Sequence, residues 1–194
     1  MIHTLLRNKQ VILASASPRR KAIFDLIGLN ALQYPANLPE EQIYNNPIKL
    51  VKYHARSKAE KVKKLFEQDH LIVAADTVVF QKNELLEKPI DRIQAAQFLN
   101  RLSGNRHYVY SGIALAYKNT ILADYAKSLV EFYPLSEQEI TEYLETNEPL
   151  DKAGAYGIQG FGSQFIKNIS GCYYNVMGFP VSLFYRMLKI LLHE

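Results

Sequence analysis

At 194 residues, 48% hydrophobic and 22% charged, the chain is long enough to bury a sizeable core and too apolar to be intrinsically disordered. No apolar run approaches the ~18 residues of a membrane span, and the single cysteine, Cys172, excludes an internal disulfide and a cysteine metal cluster. The net charge of +4 permits anionic ligands without arguing for nucleic acid, and residues 1–10 lack the apolar centre of a secretory leader, so a cytoplasmic location is expected.

Val11, Ile12 and Leu13 read as a short buried strand that runs through Ala14-Ser15-Ala16-Ser17 into a helix starting at Pro18-Arg19-Arg20. Ser17 suits the N-cap, Pro18 the first helical position and Gly28 the stop, with Ile23, Leu26 and Ile27 on the inner face. Arg19 and Arg20 then fall in the first turn, where the helix dipole is already positive. Each cation should cost a few tenths to ~1 kcal/mol there unless an anion lies over it. Backbone N–H groups, the Ser15 and Ser17 hydroxyls and two guanidinium forks together suit a phosphate. The plainer alternative is a surface helix start with solvated arginines.

Residues 31–46 read as a strand fragment and a loop carrying the acidic pair Glu40-Glu41. Asn46-Pro47 opens a helix expected to reach about Gln68, with Leu50, Val51, His54, Ala55, Ala59, Val62, Leu65 and Phe66 in one stripe. Lys58 lies within that stripe. It either reaches a cleft or snorkels to water at the stripe's edge, and His54 reads as packing. Leu71-Ile72-Val73-Ala74-Ala75 reads as a strand buried on both faces, ending in Asp76-Thr77. An acid at the end of such a strand suits chemistry at the mouth of a crevice; a turn-capping aspartate is the alternative.

Residues 77–86 read as a hairpin turning at Lys82-Asn83, closed by Lys88-Pro89. Asp91 with Gln94, and Ser136 with Glu139, are capping-box patterns opening helices to Leu102 and about Glu145. Between them, residues 108–116 and 121–132 read as two antiparallel strands joined at Lys118-Asn119. A glycine-rich stretch over 154–162 precedes a strand near Phe165-Ile166. Pro180 opens a last helix with Val181, Phe184, Met187, Leu188 and Leu191 inward. Gly160-Phe161-Gly162 is no dinucleotide fingerprint, because Phe165 stands where its third glycine belongs, and no G-x-x-x-x-G-K-[ST] loop occurs. No repeat or linker divides the chain, so a single domain over residues 1–194 is expected.

The Ser15-Ala16-Ser17-Pro18-Arg19-Arg20 string on a strand-to-helix turn resembles the signature of the Maf family of nucleoside-triphosphate pyrophosphatases. Arg56-Ser57-Lys58-Ala59, Ala74-Ala75-Asp76-Thr77-Val78-Val79, Glu87-Lys88-Pro89, Leu102-Ser103-Gly104 with His107, and the run from Asp151 to Gly160 are similar to its later motifs, in the same order. The resemblance implies a mixed α/β fold with a long curved sheet flanked by helices, and two lobes with a cleft between them, as in inosine-triphosphate pyrophosphatases. It also implies a homodimer and hydrolysis of a nucleoside triphosphate to the monophosphate and pyrophosphate.

On that resemblance Asp76, Lys58 and Lys88 are the expected catalytic residues, with Asp76 accepting a proton from the attacking water. Ser15, Arg19, Arg20, Thr77 and Gln159 are the expected substrate-binding residues, and Glu41 with Asp76 the ligands of a divalent cation, Mg or Mn. His107 matches the family's histidine and is expected to be structural. Gly154-Ala155-Tyr156-Gly157-Ile158-Gln159-Gly160 resembles the branch that prefers dTTP and UTP. The alternative is a non-enzymatic regulator of cell division that senses nucleotides or binds nucleic acid. Against it, the basic residues are scattered and not interleaved with aromatics, and such a binder has no need of Asp76.

Overall fold

The structure, a computed structural model, describes residues 1–39, 41–146 and 148–192. Its elements are α1 (Ile2–Leu5), β1 (Val11–Leu13), α2 (Pro18–Leu26), β2 (Leu32–Gln33), α3 (Pro47–Lys63), β3 (Leu71–Gln81) and β4 (Glu84–Leu86). Then come α4 (Arg92–Leu102), β5 (Arg106–Tyr117), β6 (Thr120–Phe132), α5 (Glu137–Glu145), β7 (Ile166–Ser170), α6 (Tyr173–Val176) and α7 (Val181–Leu191). The seven strands form a mixed sheet in the order β2-β1-β3-β5-β6-β7, with β4 on β3, and the helices flank it. β1 is parallel to β2 and β3, whereas the β3–β4 and β6–β7 pairs are antiparallel. No helix among the described residues is long and apolar enough to cross a membrane.

The chain forms two compact units. One comprises residues 1–76, 111–126 and 178 onward; the other comprises 77–110 and 127–177. The path changes units inside β3, β5 and β6 and again between Met177 and Gly178, so no linker segment marks the division.

In the first unit α3 lies on a floor paved with alanines: Ala55 and Ala59 of the helix meet Ala14, just after β1, and Ala74, Ala114 and Ala116 of the strands. These short side chains let the helix come close, and at Gly112 the backbones themselves meet. A Cβ there would stand 2.3 Å from the Val51 carbonyl oxygen. In the same unit, Phe24 packs at tilted angles against Phe179 and Phe184, at 5.0 and 5.9 Å between ring centroids. In the second unit α4 and α5 pack on Val79, Val109, Val130 and Phe132, with the rings of Tyr143, Tyr156 and Phe165 between them. His107 is buried there and shares a 2.8 Å hydrogen bond with the Tyr156 hydroxyl.

Local signals in the sequence are realised in detail. Ser17, Asn46, Asp91 and Ser136 cap their helices, and Ser136 with Glu139 forms a complete capping box. Lys82 and Asn83 both take positive φ, as a two-residue hairpin turn demands.

Other expectations are corrected. The strand expected to end at Ala75 continues through Asp76 and Thr77 to Gln81, because Asp76 finds buried partners and need not break the ladder. α3 stops at Lys63 in tighter i→i−3 turns, leaving Leu65 exposed. α2 buries Ile23 and Phe24, not Leu26, because the larger Phe24 takes the aromatic cluster and turns Leu26 out to solvent. On α7, Leu183 is buried and Val181 is only half-buried.

Candidate active site

Asp76 projects from the middle of β3 and is 4% exposed. A bare carboxylate there would be costly, and α3 supplies the remedy. Lys58 Nζ donates to Asp76 Oδ1 at 2.7 Å, and His54 Nδ1 lies 3.3 Å from Oδ2. His54 and Lys58 are four residues apart on α3, hence on one face, and the alanine floor holds that face against β3.

Nε2 of His54 is 3.0 Å from the main-chain oxygen of Glu41. Both of its partners, a carboxylate and a carbonyl, can only accept, so the ring satisfies them together only as the doubly protonated cation. Its pKa is accordingly raised above 6.5, chiefly by the hydrogen bond to Asp76, with burial opposing. Burial by itself would raise the Asp76 pKa, but the His54 hydrogen bond, the Lys58 charge and, more weakly, the Arg20 charge bring it down to about 2. Among the described residues, this buried carboxylate thus has three basic side chains acting on it, His54, Lys58 and Arg20.

Arg20 is tied down by its own fold. Nε donates to the Gly178 carbonyl at 2.9 Å and an Nη to Ser15 Oγ at 3.1 Å. The Ser15 oxygen also accepts from the Ser17 N–H at 3.2 Å, so its remaining capacity is to donate its own hydrogen. The strand-to-helix turn therefore offers a positioned hydroxyl donor beside a fixed guanidinium. Arg19 follows Pro18 in the first turn of α2, as the sequence predicts.

A cation such as Mg or Mn takes hard oxygen ligands and a few carboxylates, and the donor set fits. Each Asp76 oxygen has a protein donor and keeps a further lone pair. The Glu41 side chain is exposed on the segment whose main chain His54 holds. Glu40, its neighbour in the acidic pair, lies outside the described residues.

The family model described as Maf-like protein matches residues 10–191. The chain belongs to the Maf family. A dTTP/UTP pyrophosphatase of Clostridium perfringens is 45% identical over 184 residues, covering 93% of this chain and 96% of its own. One of Bacillus cereus is 42% identical over 183 residues, covering 93% and 89%. Of solved structures, the Staphylococcus aureus Ham1 protein is similar with a TM-score of 0.48 and 14% identity, over 81% of this chain and 80% of its own.

Of the residues expected from the Maf resemblance, the first unit holds Ser15, Arg19, Arg20, Glu41, Lys58 and Asp76. It brings Ser15 to Arg20 and Lys58 to Asp76 by direct hydrogen bonds. Thr77, Lys88 and Gln159 belong to the second unit. Thr77 follows Asp76 within β3, so its side chain points to the opposite face of the strand. Lys88 is exposed just before the buried Pro89. Gln159 is exposed in the glycine-rich loop, and its amide makes no hydrogen bond among the described residues.

Sequence reasoning missed His54, which it read as packing and which instead grips Asp76. The available signal was its i,i+4 spacing from Lys58 on a stripe otherwise apolar.

Proposed function

We propose that this Maf protein is a nucleoside triphosphate pyrophosphatase acting on dTTP and UTP, releasing the nucleoside monophosphate and pyrophosphate. The observation that carries the reading is the 45% identity, over nearly the whole of both chains, to a relative named for that activity. The surroundings of Asp76 supply compatible chemistry. Hydrolysis between the α and β phosphates needs a water aimed at phosphorus and positive charge where the leaving pyrophosphate develops its own.

Asp76 accepts a hydrogen bond from the attacking water and aims it. A carboxylate held at about 2 is a weak base towards free water, so the proton moves as the O–P bond forms and the water becomes acidic. Lys58 keeps Asp76 ionised and in place. Arg19, Arg20 and Lys88 bind phosphate oxygens, and Ser15 donates its hydroxyl hydrogen to one of them. Thr77, on the other face of β3, is assigned to substrate binding by the resemblance. A divalent cation held by Asp76 and Glu41 would supply further positive charge and lower the pKa of bound water. Gln159 pairs with the base, since its donor and acceptor match the N3–H and O4 edge of uracil and thymine. A homodimer in the cytoplasm belongs to the same reading.

The test is pyrophosphate release from a panel of common and modified nucleoside triphosphates with Mg, with Mn and with chelator. Preference for dTTP and UTP, lost with chelator, is the expected result. Tight nucleotide binding without turnover on any substrate would overturn the reading in favour of a nucleotide-sensing regulator.

A further inference from the structure

The glycine-rich loop is built around one side chain. Glu148 begins a short 3₁₀ turn (Glu148–Asp151), and its carboxylate gathers three donors. Oε1 accepts from the Tyr143 hydroxyl at 2.9 Å and from the Gly162 N–H at 3.3 Å, while Oε2 accepts from the Phe161 N–H at 2.9 Å. The Tyr143 oxygen in turn accepts from the Gly157 N–H at 3.2 Å. Residues 157 and 162, the two ends of the loop, are thus fastened to one carboxylate–phenol pair. Gln159 lies between them, exposed and without a hydrogen bond of its own among the described residues.

The loop backbone closes directly on the carboxylate: a Cβ at Gly160 would fall 2.0 Å from Glu148 Oε2. That oxygen cannot swing aside without giving up the Phe161 N–H. Burial, and then the Glu148 charge, push the Tyr143 pKa up, so its hydroxyl stays a donor at any working pH. Tyr143 is itself buried against Phe165 at 5.0 Å between ring centroids, so the anchor is rigid.

We propose that Glu148 is a positioning residue for base selection, holding the loop 157–162 so that Gln159 and the peptide groups beside it meet the pyrimidine edge at one fixed place. This rests on the reading of Gln159 as the base-reading side chain. An amide with no side-chain partner takes its placement from its backbone alone, and the backbone takes its placement from Glu148. A shift of about 1 Å in that backbone is enough to lengthen the hydrogen bonds to the base.

The test is kinetic. Glu148→Gln keeps the size of the side chain but turns an NH₂ towards one of the donors. kcat/KM is measured for dTTP, for CTP and for a deoxyribose 5-triphosphate that carries no base. Glu148→Gln is expected to lower kcat/KM for dTTP roughly tenfold, about one hydrogen bond's worth, mainly through KM. The dTTP to CTP ratio should fall by the same factor, with the base-free substrate changed less than about twofold. Gly160→Ala, which drives a methyl into the same oxygen, should reproduce the pattern. In a Gln159→Ala background Glu148→Gln should add less than about twofold.

Equal losses on all three substrates, or losses that simply multiply with those of Gln159→Ala, would overturn the proposal in favour of a purely structural glutamate. Should Glu148→Gln fail to fold, Tyr143→Phe decides instead: it removes one donor, leaves the carboxylate, and is expected to lower the dTTP to CTP ratio by a smaller factor. If Gln159→Ala leaves that ratio unchanged, the base-reading assignment fails and the proposal falls with it. If Gln159→Ala flattens the ratio and neither Glu148→Gln nor Tyr143→Phe moves it, only the proposal is overturned.

Discussion

Asp76, the centre of the proposed chemistry, is also a buried carboxylate held by Lys58 and His54. Asp76→Asn keeps the shape but removes the charge that, in the proposed mechanism, aims water and holds a cation. Turnover is expected to fall at least ~10²-fold with nucleotide binding largely retained, and single-turnover kinetics beside equilibrium binding separates the two. Lys58 carries a different prediction. Lys58→Met leaves a buried carboxylate with His54 as its remaining α3 partner, and breaking such a pair from one side costs about 3–5 kcal/mol. The double variant Lys58→Met with Asp76→Asn removes the stranded charge and should recover much of that loss in urea denaturation. Additive losses would show that the pair is not coupled.

Helix α3 brings His54 and Lys58 to Asp76 while lying in close contact with the strands at Gly112. Glycine at position 112 lets the Val51 carbonyl approach where any Cβ would collide with backbone, and backbone cannot swing aside as a side chain can. Gly112→Ala is therefore expected to lift the helix, destabilise the fold by about 1–3 kcal/mol and lower turnover through lost contacts of His54 and Lys58 with Asp76. Thermal denaturation and kcat measured on one preparation check this, and a variant with wild-type values of both would refute the close-seating account. The neighbouring alanines act in the same direction. Their small side chains give up buried area in exchange for proximity, a trade that makes sense where a helix must deliver polar groups to a strand.

The pH response of the whole molecule follows from its buried titratable groups. Burial lowers the His107 pKa from 6.5 to about 3, so as pH falls the unfolded chain takes up that proton before the folded one. Its contribution to stability is complete above about pH 6.5 and is lost progressively down to about pH 3, at up to ~1.4 kcal/mol per pH unit. Asp76 adds to this at lower pH: with a folded pKa of about 2 against 3.8, its contribution is present above 3.8 and fades towards 2. His54 has the opposite sign. Its raised pKa stabilises below 6.5, and that contribution fades as pH rises through the folded value. Melting temperature against pH should therefore fall between pH 6.5 and 4, and His107→Gln should flatten that fall while starting lower at neutral pH. An unchanged slope in the variant would assign the acid sensitivity elsewhere.

Caps, hairpin turns and buried strands were legible because each depends on residues within a few positions. Ser17 needs only the free N–H groups of its own helix, and Lys82-Asn83 needs only the two strands it joins. The family was legible for a related reason: its motifs are short strings whose order along the chain carries the signal. The tertiary structure alone decided that Asp76 lies within a strand, that His54 grips it from α3, and that Arg20 anchors to Gly178, 158 positions away. It alone wrapped the loop at 157–162 around Glu148. Such partners depend on which elements come to lie side by side and in what register, a choice made by packing over the whole core, and no window of sequence contains it.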